Sequence, residues 1–187
     1  MSWMGKGFGN GAGCLLACLW MTTCLAQDGT YADPAAAAAD PDFAIQGEYV
    51  ADGRGVQVAA LGDGKFHVVT FAGGLPGAGW DGTGRDEFEE DAAGVQALIN
   101  DLKLKRIERS SPTLGAKPPK GAIVLFDGKN ADLFKDAKLT EDGLLLAGTE
   151  TVHPYADFRL HAEFRIPYKP MARGQGRGNS GFYLQSR

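Results

Sequence analysis

An alternating run near the C-terminal end of this sequence brings together residue types that are suited to acid–base chemistry. In DFRLHAEFRIP, residues 157–167, apolar and polar side chains alternate along the run. Because neighbouring side chains of a strand point to opposite faces, the pattern predicts a half-buried antiparallel strand. Its polar face would carry Arg159, His161, Glu163 and Arg165. A carboxylate and an imidazole on one face can take up and release protons. The alternative is that these charges only solvate the outer sheet, in ion pairs worth under about 1 kcal/mol each.

A second alternating run, GRGNSGFYLQSR, follows closely. By parity, Asn179, Tyr183 and Gln185 fall on one face, and Phe182 and Leu184 fall on the core face. Glycines on both sides of Asn179-Ser180 suit a bulge, or a backbone that leaves room for a bound ligand. The alternative for Asn179 is a residue that holds a turn.

Other potential sites are less specific. The sequence predicts no metal site and no identifiable cofactor, because its histidines lack the close spacing of zinc ligands: His67, His153 and His161. The acidic run at residues 86–91 predicts a solvated charge cluster or, alternatively, a calcium loop. Trp80 is expected to anchor a turn, with stacking on a sugar ring as the alternative.

Composition and charge limit the classes of fold and partner. With 19 basic and 23 acidic residues the formal charge is −4, so the chain has no positive field to attract nucleic acid. The 27 glycines and 9 prolines, set among short β-prone runs, predict many tight turns and a mainly β fold.

The first 26 residues resemble an export signal. Lys6 precedes an apolar stretch at residues 12–25, and Cys24-Leu25-Ala26 fits a cleavage site. The stretch is short for a membrane span, and a buried core helix is the alternative. We therefore expect a periplasmic or extracellular protein. Leu15-Leu16-Ala17-Cys18 resembles a lipidation box, and we expect a membrane anchor only if Cys18 is lipidated. All three cysteines lie in this segment, so the mature protein would have none.

The remaining chain divides into four parts. Residues 27–42 are rich in Ala, Asp and Pro and are interpreted as a linker. Residues 43–109 predict a small β-rich module, with a hairpin about Gly62-Asp63-Gly64 and one amphipathic helix or a mixed edge within 91–104. Residues 110–121, SSPTLGAKPPKG, predict a second linker. Besides GNSGFYLQ, residues 122–187 contain three strand-like units, at 122–126, 144–147 and 157–167.

Four motifs in this last part carry a family resemblance: LFDGKNADLFK, DGLLLAG, YADFRLHAEFRIP and GNSGFYLQ. In order and spacing they resemble the N-terminal half of the 3-keto-disaccharide hydrolase family, over residues 123–187. Phe134 stands where the family commonly has Trp. The resemblance implies a concanavalin-like antiparallel β-sandwich, or jelly roll, with a concave sugar-binding face, of which this chain holds the N-terminal part.

The resemblance also implies an activity. The family's chemistry needs a base and a group that polarises a ketone, so Glu163 becomes the candidate catalytic residue. Asn179, Tyr183 and Gln185 become the candidates for contacts with a carbohydrate. We expect an exported hydrolase of 3-keto disaccharides or related glycosides. The alternatives are a non-catalytic glycan-binding module of the cell envelope, and a truncated product that folds stably only in its upstream module.

Overall fold

The computed structural model describes residues 29–179 and 181–184. Its helices and strands lie mainly between residues 34 and 107. In chain order they are α1 (Pro34–Ala37), α2 (Pro41–Ile45), β1 (Gly47–Ala51), β2 (Arg54–Gly62), β3 (Lys65–Ala72), β4 (Arg85–Asp91), α3 (Ala92–Asp101) and β5 (Lys105–Ile107). A short 3₁₀ turn, Gly174–Gly176, follows near the end of the chain.

The five strands form one antiparallel sheet in the order β4-β3-β2-β1-β5, which confirms the prediction of a mainly β fold. The predicted hairpin is also confirmed, since β2 and β3 pair with Ala60 opposite Phe66. Its turn residues Gly62, Asp63 and Gly64 have φ angles of 84°, 52° and 69°. Glycine takes this left-handed conformation without strain, which explains the Gly-Asp-Gly sequence.

The main core lies on the face of the sheet that α3 covers. Most of its fully buried side chains come from β2, β3 and the helix, and one comes from α1: Val56, Ala60, Phe66, Val68, Val95 and Ala37. The structure thus favours the helix over the mixed edge for residues 91–104. Asp91 caps it, because its Oδ1 accepts a hydrogen bond from the Gly94 backbone N at 2.9 Å.

A smaller core covers part of the opposite face. Leu75, from the loop after β3, is fully buried against Val69 and Phe71. The Trp80 ring packs edge-on against Phe71 with centroids 5.0 Å apart, and its Nε1 donates to the backbone O of Thr83. Trp80 therefore anchors this loop, as predicted.

Gly55 is where this loop comes closest to the sheet. A Cβ at Gly55 would lie 2.6 Å from the backbone C of Gly74 and the N of Leu75. Because backbone atoms cannot move aside cheaply, we expect Gly55→Ala to lower the free energy of unfolding by about 1–3 kcal/mol. Urea unfolding measures this, with Gly181→Ala as the control because no atom lies within 4 Å of its added Cβ. Equal stability of both variants would contradict the close approach.

The described part of the predicted linker at 27–42 is more ordered than expected. Asp33 and Asp40 cap the two short helices, and a proline follows each cap. Ala37 is fully buried, and the buried Asp42 accepts a hydrogen bond at 2.9 Å from the backbone N of Gly64 in the hairpin turn. The tether interpretation was wrong here, because each Asp-Pro pair starts a helix rather than breaking order.

The strand predicted at residues 157–167 is not formed either. Within the described residues no strand follows β5, and beyond it only isolated bridges occur, such as Phe134 with Thr151. Phe158 and Phe164 are 48% and 67% exposed. Alternation determines which side chains would share a face, but a strand also needs a neighbour for its backbone hydrogen bonds. In the part of the chain that is described, no helix is long and apolar enough to cross a membrane.

Candidate functional site

His161 and Glu163 meet although the predicted strand is absent. His161 Nε2 lies 3.1 Å from Glu163 Oε1, and the same oxygen accepts a hydrogen bond from the backbone N of Gly115 at 2.6 Å. The imidazole is 53% exposed and the carboxylate 40% exposed. The pair is therefore held in place from two sides and remains open to solvent.

This pair lines a cleft of about 260 Å³. Ser111, Thr113 and Leu114 also line the cleft, and Phe164 adds an aromatic side chain. Ser111 Oγ and Thr113 Oγ1 are 3.0 Å apart. Sequence reasoning missed both hydroxyls, because they lie in the Pro- and Gly-rich stretch that was interpreted as a linker. No local signal marks them.

The surroundings of Glu163 keep its carboxyl group ionised. The hydrogen bond with His161 and then the bond from the Gly115 N–H lower the pKa of Glu163 below its usual value of 4.5. At neutral pH the carboxylate is thus an acceptor that orients the imidazole. The side chain of this pair that is suited to exchange protons with a ligand is the imidazole of His161.

The polar face predicted for residues 159–165 is divided in the structure. Arg165 Nη2 donates to Asp142 Oδ2 at 2.6 Å. The Thr140 hydroxyl and then this guanidinium lower the pKa of Asp142. Arg159 is exposed and does not line the cleft. Only His161 and Glu163 of the four predicted residues therefore share a site.

The predicted ligand-binding face is not assembled with that site. Asn179 is exposed and Tyr183 is 82% exposed, and within residues 29–179 and 181–184 no hydrogen bond connects either of them to Glu163. Gln185 lies outside the described residues. The expected convergence of Glu163 with Asn179 and Tyr183 is thus not seen.

The acidic run at 86–91 forms the exposed edge strand β4 and the cap of α3, which fits the solvated charge cluster better than a calcium loop. Among the residues described, no group of three His, Cys, Asp or Glu side chains is arranged to hold a metal ion. His67 on β3 contacts the acidic run, since its Nε2 lies 3.6 Å from Oε2 of Glu87 on β4.

No family model, curated protein or solved structure matches this chain. The groups that line the cleft are an imidazole, an ionised carboxylate and two hydroxyls.

Proposed function

We propose that this chain belongs to an exported hydrolase that cleaves glycosidic bonds of 3-keto disaccharides or related glycosides. The observation that carries the proposal is the His161–Glu163 pair in a cleft that two hydroxyls also line. The family resemblance of residues 123–187 supplies the substrate class. The predicted export signal at 1–26 and the predicted lipidation box ending at Cys18 lie outside the described residues.

The cleft has groups for the elimination that precedes hydration. The ketone acidifies the neighbouring C–H, and His161 would take that proton while Glu163 stabilises the imidazolium. Ser111 and Thr113 share a hydrogen bond, so the hydroxyl that accepts it would donate its own proton to the developing enolate oxygen. As the C–O bond to the leaving sugar breaks, the leaving oxygen takes the proton back from the His161 imidazolium, and water then adds across the resulting double bond.

We propose further that residues 122–187 contribute strands to a concanavalin-like sandwich. The support is that four apolar side chains of one parity, Phe158, Leu160, Phe164 and Ile166, are all exposed. Pairing with other strands would cover them and complete their backbone hydrogen bonds. Amide hydrogen exchange on the protein isolated from its source tests this. Slow exchange across 157–167 is expected, whereas exchange as fast as that of 110–121 would contradict the sandwich.

A glycan-binding module is the second candidate function, favoured by the exposure of the Tyr183 ring. Exposed aromatic rings and amide groups are suited to sugar recognition without catalysis, and Asn179 supplies such an amide. Binding of a glycan with no bond cleavage would favour this function over the hydrolase.

The assay that separates the two candidates uses 3-ketosucrose and 3-ketotrehalose, with release of the free sugars followed over time. We expect release of the sugars by the unchanged chain. For the glycan-binding function we expect Asn179→Ala to bind the glycan about tenfold more weakly, since a lost hydrogen bond to the sugar costs about 1 kcal/mol or somewhat more. Asn100→Ala, at the exposed end of α3, is the control. No release, together with no effect of Asn179→Ala on glycan binding, would contradict both functions.

A further inference from the structure

A larger cleft lies between the start and the end of the described chain, away from Glu163. Residues 31–46 form one side and residues 166–178 form the other. The two segments are joined by a pair of backbone hydrogen bonds, from Tyr31 N to Tyr168 O at 2.8 Å and from Tyr168 N to Tyr31 O at 2.9 Å. The cleft measures about 440 Å³, within the range of about 300–1,000 Å³ typical of small-molecule sites.

Three aromatic rings line this cleft. The Tyr168 ring lies 5.5 Å from that of Tyr31 and 5.0 Å from that of Phe43, measured between centroids. Tyr168 is only 8% exposed, and its hydroxyl donates to Asp40 Oδ2 at 3.2 Å. The rings are thereby fixed and offer an apolar surface to one face of a ligand.

Polar groups at the cleft have hydrogen-bonding capacity to spare. Gln46 accepts a hydrogen bond through Oε1 from the Ala60 N at 3.3 Å, which leaves its amide N–H groups to donate. Arg177 donates to the backbone O of Pro170 at 3.2 Å, which uses one of its five N–H donors.

Three cations lie at or beside the cleft without an ion pair in the described part of the chain. Within the described residues, neither Lys169 nor Arg177 forms an ion pair with a carboxylate, and neither does the neighbouring Arg173. Burial, and then the charge of Arg173, lower the pKa of Arg177. The nearby carboxylates of Asp40 and Asp42 accept hydrogen bonds from neutral donors, the Tyr168 hydroxyl and the Gly64 backbone N, and keep their negative charges. The three cations therefore outnumber these two carboxylates. A bound anion would relieve the repulsion between the two guanidinium groups.

We infer that this cleft binds a sugar acid, with the ring against the Tyr31, Phe43 and Tyr168 side chains and the carboxylate on Arg177 and Lys169. A guanidinium matches a carboxylate with two parallel hydrogen bonds, and Gln46 is placed at the cleft to donate to a ring hydroxyl. The site goes beyond the proposed hydrolase activity, since it shares no residue with the Glu163 cleft.

Isothermal titration of the whole chain with glucuronate, glucose and inorganic phosphate tests the inference. We expect glucuronate to bind at least about tenfold more tightly than glucose or phosphate, because only glucuronate has both the ring and the charge. Raising the ionic strength should weaken its binding. Arg177→Gln should weaken it by about tenfold or more, whereas Arg54→Gln, at an exposed position of β2, should not.

A second variant, Lys169→Gln, removes the other cation at the cleft and decides the question if Arg177→Gln fails to fold. Equal binding of glucose and glucuronate, no binding of either, or phosphate binding as tight as that of glucuronate would overturn the inference. Unchanged glucuronate binding in folded Arg177→Gln or Lys169→Gln would do the same. Hydrolysis of 3-keto sugars is measured separately, so each proposal can fail without the other.

Discussion

Replacing Phe66 by alanine is expected to lower the free energy of unfolding by about 3–5 kcal/mol. Phe66 is fully buried on β3, in the core that the sheet forms with α3. Val56, Val68 and Val95 belong to the same core. Truncation removes a large apolar side chain from this core and leaves a cavity that the antiparallel strands on either side cannot fill. Urea unfolding followed by circular dichroism measures the loss.

Phe88 is the matched control for this variant, since it is the same residue type, lies on the edge strand β4 and is 39% exposed. Phe88→Ala should cost much less than Phe66→Ala, because truncation of an exposed side chain leaves no closed cavity. A loss as large as that of Phe66→Ala would contradict the exposure of β4. A small loss for Phe66→Ala would contradict the described core.

His161→Ala is expected to lower kcat/KM on 3-ketosucrose by about 10²–10⁴, the usual contribution of a positioned general base. Glu163→Gln should give a smaller loss, because the amide preserves the shape of the side chain but not the charge that orients and stabilises the imidazolium. His153→Ala serves as the control, since His153 is exposed and does not line the cleft.

A titration distinguishes this role from a purely structural one. The hydrogen bond from His161 is the largest cause of the lowered pKa of Glu163, so His161→Ala should raise that pKa toward 4.5. The carboxyl carbon shift of Glu163, followed by NMR against pH, measures the change. An unchanged pKa would show that the two groups do not interact in solution. Full activity of His161→Ala would exclude His161 as the base.

Local features of the fold could be predicted from the sequence because their causes are local. Gly62-Asp63-Gly64 determines the hairpin turn through its left-handed backbone. The spacing of apolar residues from Val95 onward predicts a helix or a mixed edge, and the structure has the helix α3, capped by Asp91. The Asp-Pro pairs at 33–34 and 40–41 carried a capping signal as well, although it was interpreted as part of a linker.

The candidate site could be predicted only in part. Parity along residues 157–167 placed His161 and Glu163 on one side, and the structure joins them. The Gly115 N–H that holds Glu163, and the hydroxyls of Ser111 and Thr113, come from more than 40 residues earlier in the chain. No pattern of residue types encodes such a contact.

The sequence by itself therefore determined the turns and the alternation of residues 157–167, and limited residues 91–104 to a helix or a mixed edge, since each depends on neighbours in the chain. The tertiary structure decided whether alternation became a strand, because a strand requires hydrogen bonds from a second segment, and 157–167 has no such neighbour among the described residues. It also decided that residues 31–46 and 166–178 meet, because the bonds between Tyr31 and Tyr168 join distant parts of the chain. Both clefts depend on such long-range contacts, so their chemistry became visible only in three dimensions.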